Sequence, residues 1–512
     1  MNTINDRKAL IRQAADMLHK PVYEDNQPSK NVAPRTNGLT NSHKVVSLEE
    51  AIRRSGLQNG MTISFHHHFR AGDKVVNMVV DKLAEMGFKD LHLAASSLID
   101  VHEPLIEHLR NGVISRISTS GLRGKLAQEI SHGLMKEPVV FRSHGSRGSA
   151  IASGKLHIDV AFLGASSSDP MGNACGYSRS PNAKSICGSI GYALPDAQYA
   201  DKVVILTDDL VPYPNRPSGI VEMNVDYVVV VDSVGDSSKI SSGAIRDTKN
   251  PRDILLAQQA AKVIINSGYF KSGFSIQTGS GGASLAAVKY IRQSMIDQGI
   301  KASFALGGIT AHMVKMHQEG LIERLMDVQS FDKVAAESLM SDRMHKEVSS
   351  IEYASAQEPG SATHFLDIVI LSALEVDVNF NVNVLVGSDG IIRGAIGGHP
   401  DTAADSALSI IVCPLLRGRI PCIVEEVTTL ITPGSTVDVV VTEYGIAVNP
   451  RRPEIAERLK GAGLHIVDIH SLKERGEQII GHASPLPFGD KVVGIVMNRD
   501  GSVMDVIKNI EG

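Results

Sequence analysis

Cysteine is scarce in this chain. Its 512 residues hold four, Cys175, Cys187, Cys413 and Cys422, and none pairs with another at the two-residue separation of a zinc knuckle or thioredoxin-like motif. Reduced cytosolic thiols are the simplest reading. No apolar run reaches the length of a membrane span. The first residues, MNTINDRKALIRQAADMLHK, mix charge with apolar residues at helical spacing, so no export signal is expected. A concentrated basic stripe is missing and the formal net charge is −5, which argues against nucleic acid or an anionic membrane as partner. These absences point to a soluble, cytoplasmic protein whose partner is small or another protein.

What is present is ordinary globular material, 43% hydrophobic and 21% charged, in a chain too long for a single growing core. At least two domains are expected. After an opening helix, residues 20–45 are rich in Pro, Asn and Ser and read as an extended arm. From residue 46, short β-branched runs alternate with amphipathic stretches: MTISF, DLHLAAS, VISRIS, PVVF, HIDVAFLGAS, KVVILTDD and VDYVVVVD. A second series follows the helix DILLAQQAAKVIINSG, with strands in FSIQT, ASFALGG, FLDIVILSALEVDVNF, NVNVLVG, IIVCPL, CIVEEV, VDVVVTEYG and LHIVDI. VVGIVMNRDGSVMDVI at the end reads as a hairpin. Runs apolar on both faces and separated by helices predict an α/β fold with mainly parallel sheets. The boundary between the two units, 46–235 and 236–512, is set at a linker over 233–244.

In such sheets the ligand crevice lies beyond the carboxyl ends of the strands. Six segments there are candidates to carry chemistry. Gly279, Ser280, Gly281 and Gly282 lie between a strand and a helix, where backbone amides favour an anion. Ser284 stands where a dinucleotide fingerprint wants its third glycine, and a turn without ligand stays an alternative. Gly397, Gly398, His399, Pro400 and Asp401 form a turn whose N–H groups suit a developing oxyanion, with a plain bulge and turn as the alternative. Glu443 directly follows a buried-looking strand, which suits either function or an ion pair. Asp169, Gly172 and Asn173 lie in a long loop of the first series, and SFHHHFRAGD places His66, His67, His68 and Arg70 at another strand end. Adjacent histidines on extended chain point in alternate directions and cannot all face one ion, so no metal is expected there. Arg70 with His67 or His68 suits a carboxylate better. Arg142, His144 and Arg147 offer a second cationic run or a solvated loop.

Together, in this order, SFHHHFRAGD, GASSSDPMGNACGYS, IQTGSGGAS, GGITAHM, VNVLVGSDG to GGHPDTAADS, and VVVTEYGIAVNPRRP resemble the coenzyme A transferase superfamily, and over nearly the whole length the alpha subunits of citrate lyase. The resemblance implies two tandem domains of related fold with the active site between them. It implies acyl exchange on a carrier protein, acetyl-thioester plus citrate giving citryl-thioester plus acetate, with a beta subunit cleaving the product. The thiol would belong to a phosphoribosyl-dephospho-coenzyme A group on a gamma acyl carrier protein, leaving no permanent cofactor in this chain. A homo-oligomer within a multi-subunit complex is expected.

Many members of the superfamily use a covalent glutamyl thioester. Here the expected glutamate falls at Ala311 or His312, and Glu319 is out of register. An ionised citrate carboxylate can itself attack the thioester and give a mixed anhydride. On this reading 397–401 and 279–282 hold the thioester and pantetheine, while Arg70 with His67 or His68 holds citrate; Asp169 and Asn173 are further candidates for the substrate, and Glu443 serves orientation. The alternatives are a transferase or hydrolase of free acyl-coenzyme A using Glu443 or Glu319, a non-catalytic assembly subunit, and a dinucleotide oxidoreductase.

Overall fold

The computed structural model describes residues 4–17, 22, 44–241, 249–279, 282–481 and 486–511. Most of the expected arm over 20–45 and the end of the expected linker, 242–244, lie outside the described residues. The chain forms two compact units, Met1–Arg35 and Thr36–Gly512. The first contains the expected opening helix, Ile4–Met17. The second contains two large sheets.

Strands whose side chains are apolar on both faces can only be satisfied inside a covered sheet. Val160–Ala165 and Leu408–Val412, buried at every position, sit in the interior of one sheet each. The first sheet runs, edge to edge, Val503–Ile510, Phe488–Met497, Val139–Phe141, Ile114–Thr119, Leu91–Ala95, Thr62–Phe65, Val160–Ala165, Lys202–Thr207 and Tyr227–Val230. All neighbours are parallel except the first two. The second runs His345–Glu347, Ile322–Ser330, Ala302–Ile309, Phe274–Thr278, Ile368–Ser372, Leu408–Val412, Val439–Thr442 and Gly445–Val448, with only the last pair antiparallel. The predicted α/β class with mainly parallel sheets is therefore what forms.

Three sequence readings change. LHIVDI contributes a single parallel bridge, Ile446 to Ile466, at the edge strand Gly445–Val448, and no strand of its own. NVNVLVG and CIVEEV leave the large sheet and join a small three-stranded one, Val382–Asn383, Glu375–Asp377 and Ile423–Val424. The C-terminal hairpin forms, and its inner strand pairs in parallel with Val139–Phe141 of the first sheet, Gly494 opposite Val139 and Val496 opposite Phe141.

The long helix that opens the second series, Pro251–Asn266, begins with Asn250 accepting from Arg252 N–H and with proline in its first turn, as helix starts favour. It ends two residues before Gly268, whose φ of 91° is open to glycine. Among the described residues no helix is long and apolar enough to cross a membrane.

The hairpin fills the first core with Val493, Val496 and Ile507. Ile507→Ala should lower unfolding free energy by about 2–5 kcal/mol, read from urea unfolding, because the surrounding core closes only partly on the space a buried isoleucine leaves.

Candidate active site

A cavity of about 470 Å³ opens at the carboxyl ends of both sheets, the place the fold class favours for ligands. Thr62–Phe65 leads into it through His67, Leu91–Ala95 through Ser97 and Ile114–Thr119 through Ser120. From the second sheet, Phe274–Thr278 leads in through Gly279 and Ile368–Ser372 through Ala373, while Gln329 reaches it from Ile322–Ser330. Of the residues expected from sequence, His67, Arg70, Gly279, Gly397, Gly398 and His399 line it together.

The glycine turn at 397–398 is held from both sides. Ile396 N–H donates to Ser120 O at 2.7 Å, and His144 N–H donates to Gly397 O at 2.9 Å. Gly397 has φ 58°, where a Cβ is costly. A Cβ on Gly398 would collide with the Tyr353 hydroxyl. Among the described residues neither glycine's N–H has a hydrogen-bond acceptor. His399 opens the helix His399–Asp405 and is fixed between Thr432 Oγ1, at 2.7 Å from Nδ1, and Ser372 O, at 3.0 Å from Nε2. The carbonyl accepts, so Nε2 carries the proton.

The histidines are neutral. Burial pushes His66 and His399 down to about 4 and His144 to about 3, and holds His67 and His68 well below the usual imidazole range. His67 Nδ1 sits 2.5 Å from Ser96 Oγ, which also accepts from His67 N–H. The ring stacks on Tyr192 at 5.4 Å. His66 and His68 face each other at 3.5 Å, away from the cavity. The triple histidine thus splits as an extended segment must.

Positive charge comes from arginine instead. Arg70, Arg123 and Arg417 line the cavity, against one carboxylate, Asp100. Arg70 adopts φ 51° and lies over the Phe331 ring at 4.6 Å. Burial, with Arg123 nearby, lowers it to about 10. Arg417 reaches the carbonyls of Ala373 and Leu374, fixing the wall opposite.

Other expected residues are elsewhere. His68 is buried behind the wall. Asp169 and Asn173 tie their own loop: Asp169 accepts from the backbone of Met171, Asn173 and Asn215 and from the Asn173 amide, and Asn173 also meets Glu222. The buried Lys44 Nζ closes that loop on the carbonyls of Met171 and Glu222. Glu443 accepts from Leu415 N–H at 2.8 Å and is absent from the lining. Gly282 begins the helix Gly282–Gln298 away from the wall, and Ser280 and Gly281 lie outside the described residues. Of the second cationic run, His144 reaches the cavity, whereas Arg147 turns inward onto Asp196 at 2.7 and 2.8 Å, and Arg142 lines a separate small recess.

Asp401 lies behind the turn. It accepts from Ser143 Oγ at 2.8 Å and Gly145 N–H at 3.0 Å, at the start of the helix His144–Ala152. Arg499, from the C-terminal hairpin, approaches it at 3.4 Å and makes a two-pronged pair with Asp405 at 2.7 and 2.8 Å. No glutamate lines the cavity among the described residues. Ala311 and His312 start the next helix without reaching the wall, and Glu319 is paired with Arg292 at 2.6 Å on the outer surface. The four thiols are buried, which pushes Cys422 up to about 11, Cys175 to about 12 and the other two higher, so none is a thiolate at neutral pH.

Residues 41–510 match the family described as Citrate lyase, alpha subunit (CitF). The chain belongs to this family. It is 58% identical over 465 residues to the citrate lyase alpha chain of Escherichia coli, covering 91% of this chain and 90% of that one. It is 53% identical over 493 residues to that of Haemophilus influenzae, covering 96% and 98%. A solved structure of a citrate lyase alpha subunit in complex with citrate, from Streptococcus mutans, superposes with a TM-score of 0.90 at 51% identity and 98% coverage of both chains. A malonate decarboxylase alpha subunit from Acinetobacter baumannii, at 16% identity and TM-score 0.63 over 94% and 97%, shares the fold.

Sequence reasoning missed Arg123, Tyr192, Gln277, Gln329 and Tyr353. Arg123 was legible, since it follows a strand end as Arg70 does. Nothing local marks the tyrosines.

Burial pushes the Asp401 carboxyl up from 3.8 to about 6, with Arg499, Gly145 and Ser143 pulling the other way. A carboxyl raised on folding contributes stability that is complete below pH 3.8 and is lost as pH rises through about 6. Asp401→Asn cannot ionise. The wild-type stability minus that of the variant, from urea unfolding, should therefore fall between pH 4 and 6 and level off above.

Proposed function

We propose that this cavity exchanges acetyl for citryl on an acyl carrier: acetyl-thioester plus citrate gives citryl-thioester plus acetate. The observation that carries the reading is the convergence of three arginines, Gly279 and the 397–398 turn on one cavity with no glutamate in its lining among the described residues. The chain would act as the citrate-carrier transferase subunit of a citrate lyase complex in the cytoplasm, as its family membership supports. Its partners would be a beta subunit that cleaves the citryl-thioester and a gamma acyl carrier protein bearing the prosthetic thiol. Residues 46–235 and 236–512 are taken as two coenzyme A transferase-like domains, with the hairpin returned to the first sheet.

The tricarboxylate supplies its own nucleophile. A citrate carboxylate, ionised at neutral pH, attacks the acetyl carbonyl. The C–S bond breaks, the thiolate leaves and a mixed anhydride remains. The thiolate then attacks the citryl carbonyl of the anhydride, and acetate departs. No protein nucleophile is needed and no proton must move. Arg70 and Arg123 would hold citrate carboxylates, with the neutral His67 as a hydrogen-bond partner. The N–H groups of Gly397 and Gly398 would face the tetrahedral oxyanion, and Gly279 would border the pantetheine. Placement of two reactants contributes up to about 7–11 kcal/mol. One oxyanion donor contributes about 2.7–4 kcal/mol.

Purified chain with acetylated carrier protein and labelled citrate should form citryl-carrier without the beta subunit, and borohydride during turnover should reduce no side chain. A reduced Glu319 or Glu443 would replace this route with a covalent one. Arg70→Met should raise the KM for citrate by about 10- to 100-fold, the range of a lost charged hydrogen bond, with a smaller effect on kcat.

A further inference from the structure

We propose that Tyr353 and Gln277 form the side-chain half of the oxyanion site, an inference that rests on the acyl-exchange reading above. Both are buried and both line the cavity. Gln277 comes from the strand Phe274–Thr278, two residues before Gly279, and Tyr353 stands against Gly398. The pair therefore lies between Gly279 and the 397–398 turn.

Its hydrogen-bond count does not close. Gln277 Nε2 donates to the Tyr353 hydroxyl at 2.7 Å. A primary amide and a phenol bring three hydrogens, and one is spent within the pair whichever way the amide is turned. Among the described residues Tyr353 has no other side-chain partner, and the enclosed Gln277 Oε1 has none. Buried donors left unspent are costly, unless an acceptor arrives in the cavity.

The pair is also rigid. Tyr353 sits on the short helix Ser350–Ala354, closed by a capping box in which Ser349 and Glu352 exchange hydrogen bonds. That helix lies so close to the helix His144–Ala152 that a Cβ on Gly145 would overlap the Ala354 carbonyl. Burial raises the phenol far above neutral pH, so it donates a hydrogen bond without giving up its proton. When the carboxylate adds to the thioester, the carbonyl π electrons move to oxygen. Tyr353 O–H and Gln277 N–H hold that oxyanion until the C–S bond breaks and thiolate leaves.

Tyr353→Phe and, separately, Gln277→Leu should each lower kcat for acetyl-to-citryl exchange by about 100- to 1,000-fold. The KM for citrate and its calorimetric Kd should stay within about threefold of wild type, and the pH profile between 6 and 9 should keep its shape. Thermal melting checks that each variant folds, and the second variant decides if the first does not. Exchange by wild type with undiminished kcat in a folded variant overturns the role of the pair alone, as does a loss confined to citrate KM. No exchange by wild type overturns the acyl-exchange reading and the oxyanion role with it.

Discussion

The site depends on one crossing of the chain. Residues 384–398 leave the second series and lie on the strand ends of the first, where Leu385, Val386, Ile392 and Ile396 are buried in the first core. Leu122 N–H donates to Gly394 O, Ile396 N–H to Ser120 O and Ile392 N–H to Ser131 Oγ. The turn at 397–398 is thereby fixed to one sheet while its helix, His399–Asp405, packs against the other. A few backbone hydrogen bonds placed against an apolar core hold the turn.

Behind that crossing, Asp401, Ser143, Gly145, Arg499 and Asp405 form a buried bolt drawn from three distant stretches. Removing Arg499 would leave Asp401 and Asp405 near each other without their shared cation. The C-terminal hairpin pairs with the first sheet, far from the strands that precede it in sequence. Its turn delivers Arg499 to the back of the helix His399–Asp405.

Electrostatics divides the cavity by cause. Imidazoles surrendered to burial are neutral and shape the wall; the Arg70 guanidinium, with an ordinary value far above neutral, keeps its charge even when lowered to about 10. On the proposed reading, an anionic substrate would be met by arginine and backbone N–H, and the attacking group would be the substrate's own carboxylate.

Fold class and the order of the loops were determined by the sequence alone, because apolar runs on both faces admit only covered parallel strands and because glycine turns stand at strand ends. The same pattern located His67, Arg70, Gly279 and Gly397 to His399 at one cavity. It could not separate Asp169, Asn173 or Glu443 from them, since a loop carboxylate looks alike whether it faces a ligand or ties its own backbone. It also gave no sign of Tyr192, Gln277 or Tyr353, ordinary residues made notable by what faces them. Those partnerships join positions up to hundreds of residues apart, such as Ser143 with Asp401 and Gln329 with the His67 carbonyl. Only tertiary structure decides them, because a hydrogen bond or a burial shift depends on distance in space and not on spacing along the chain.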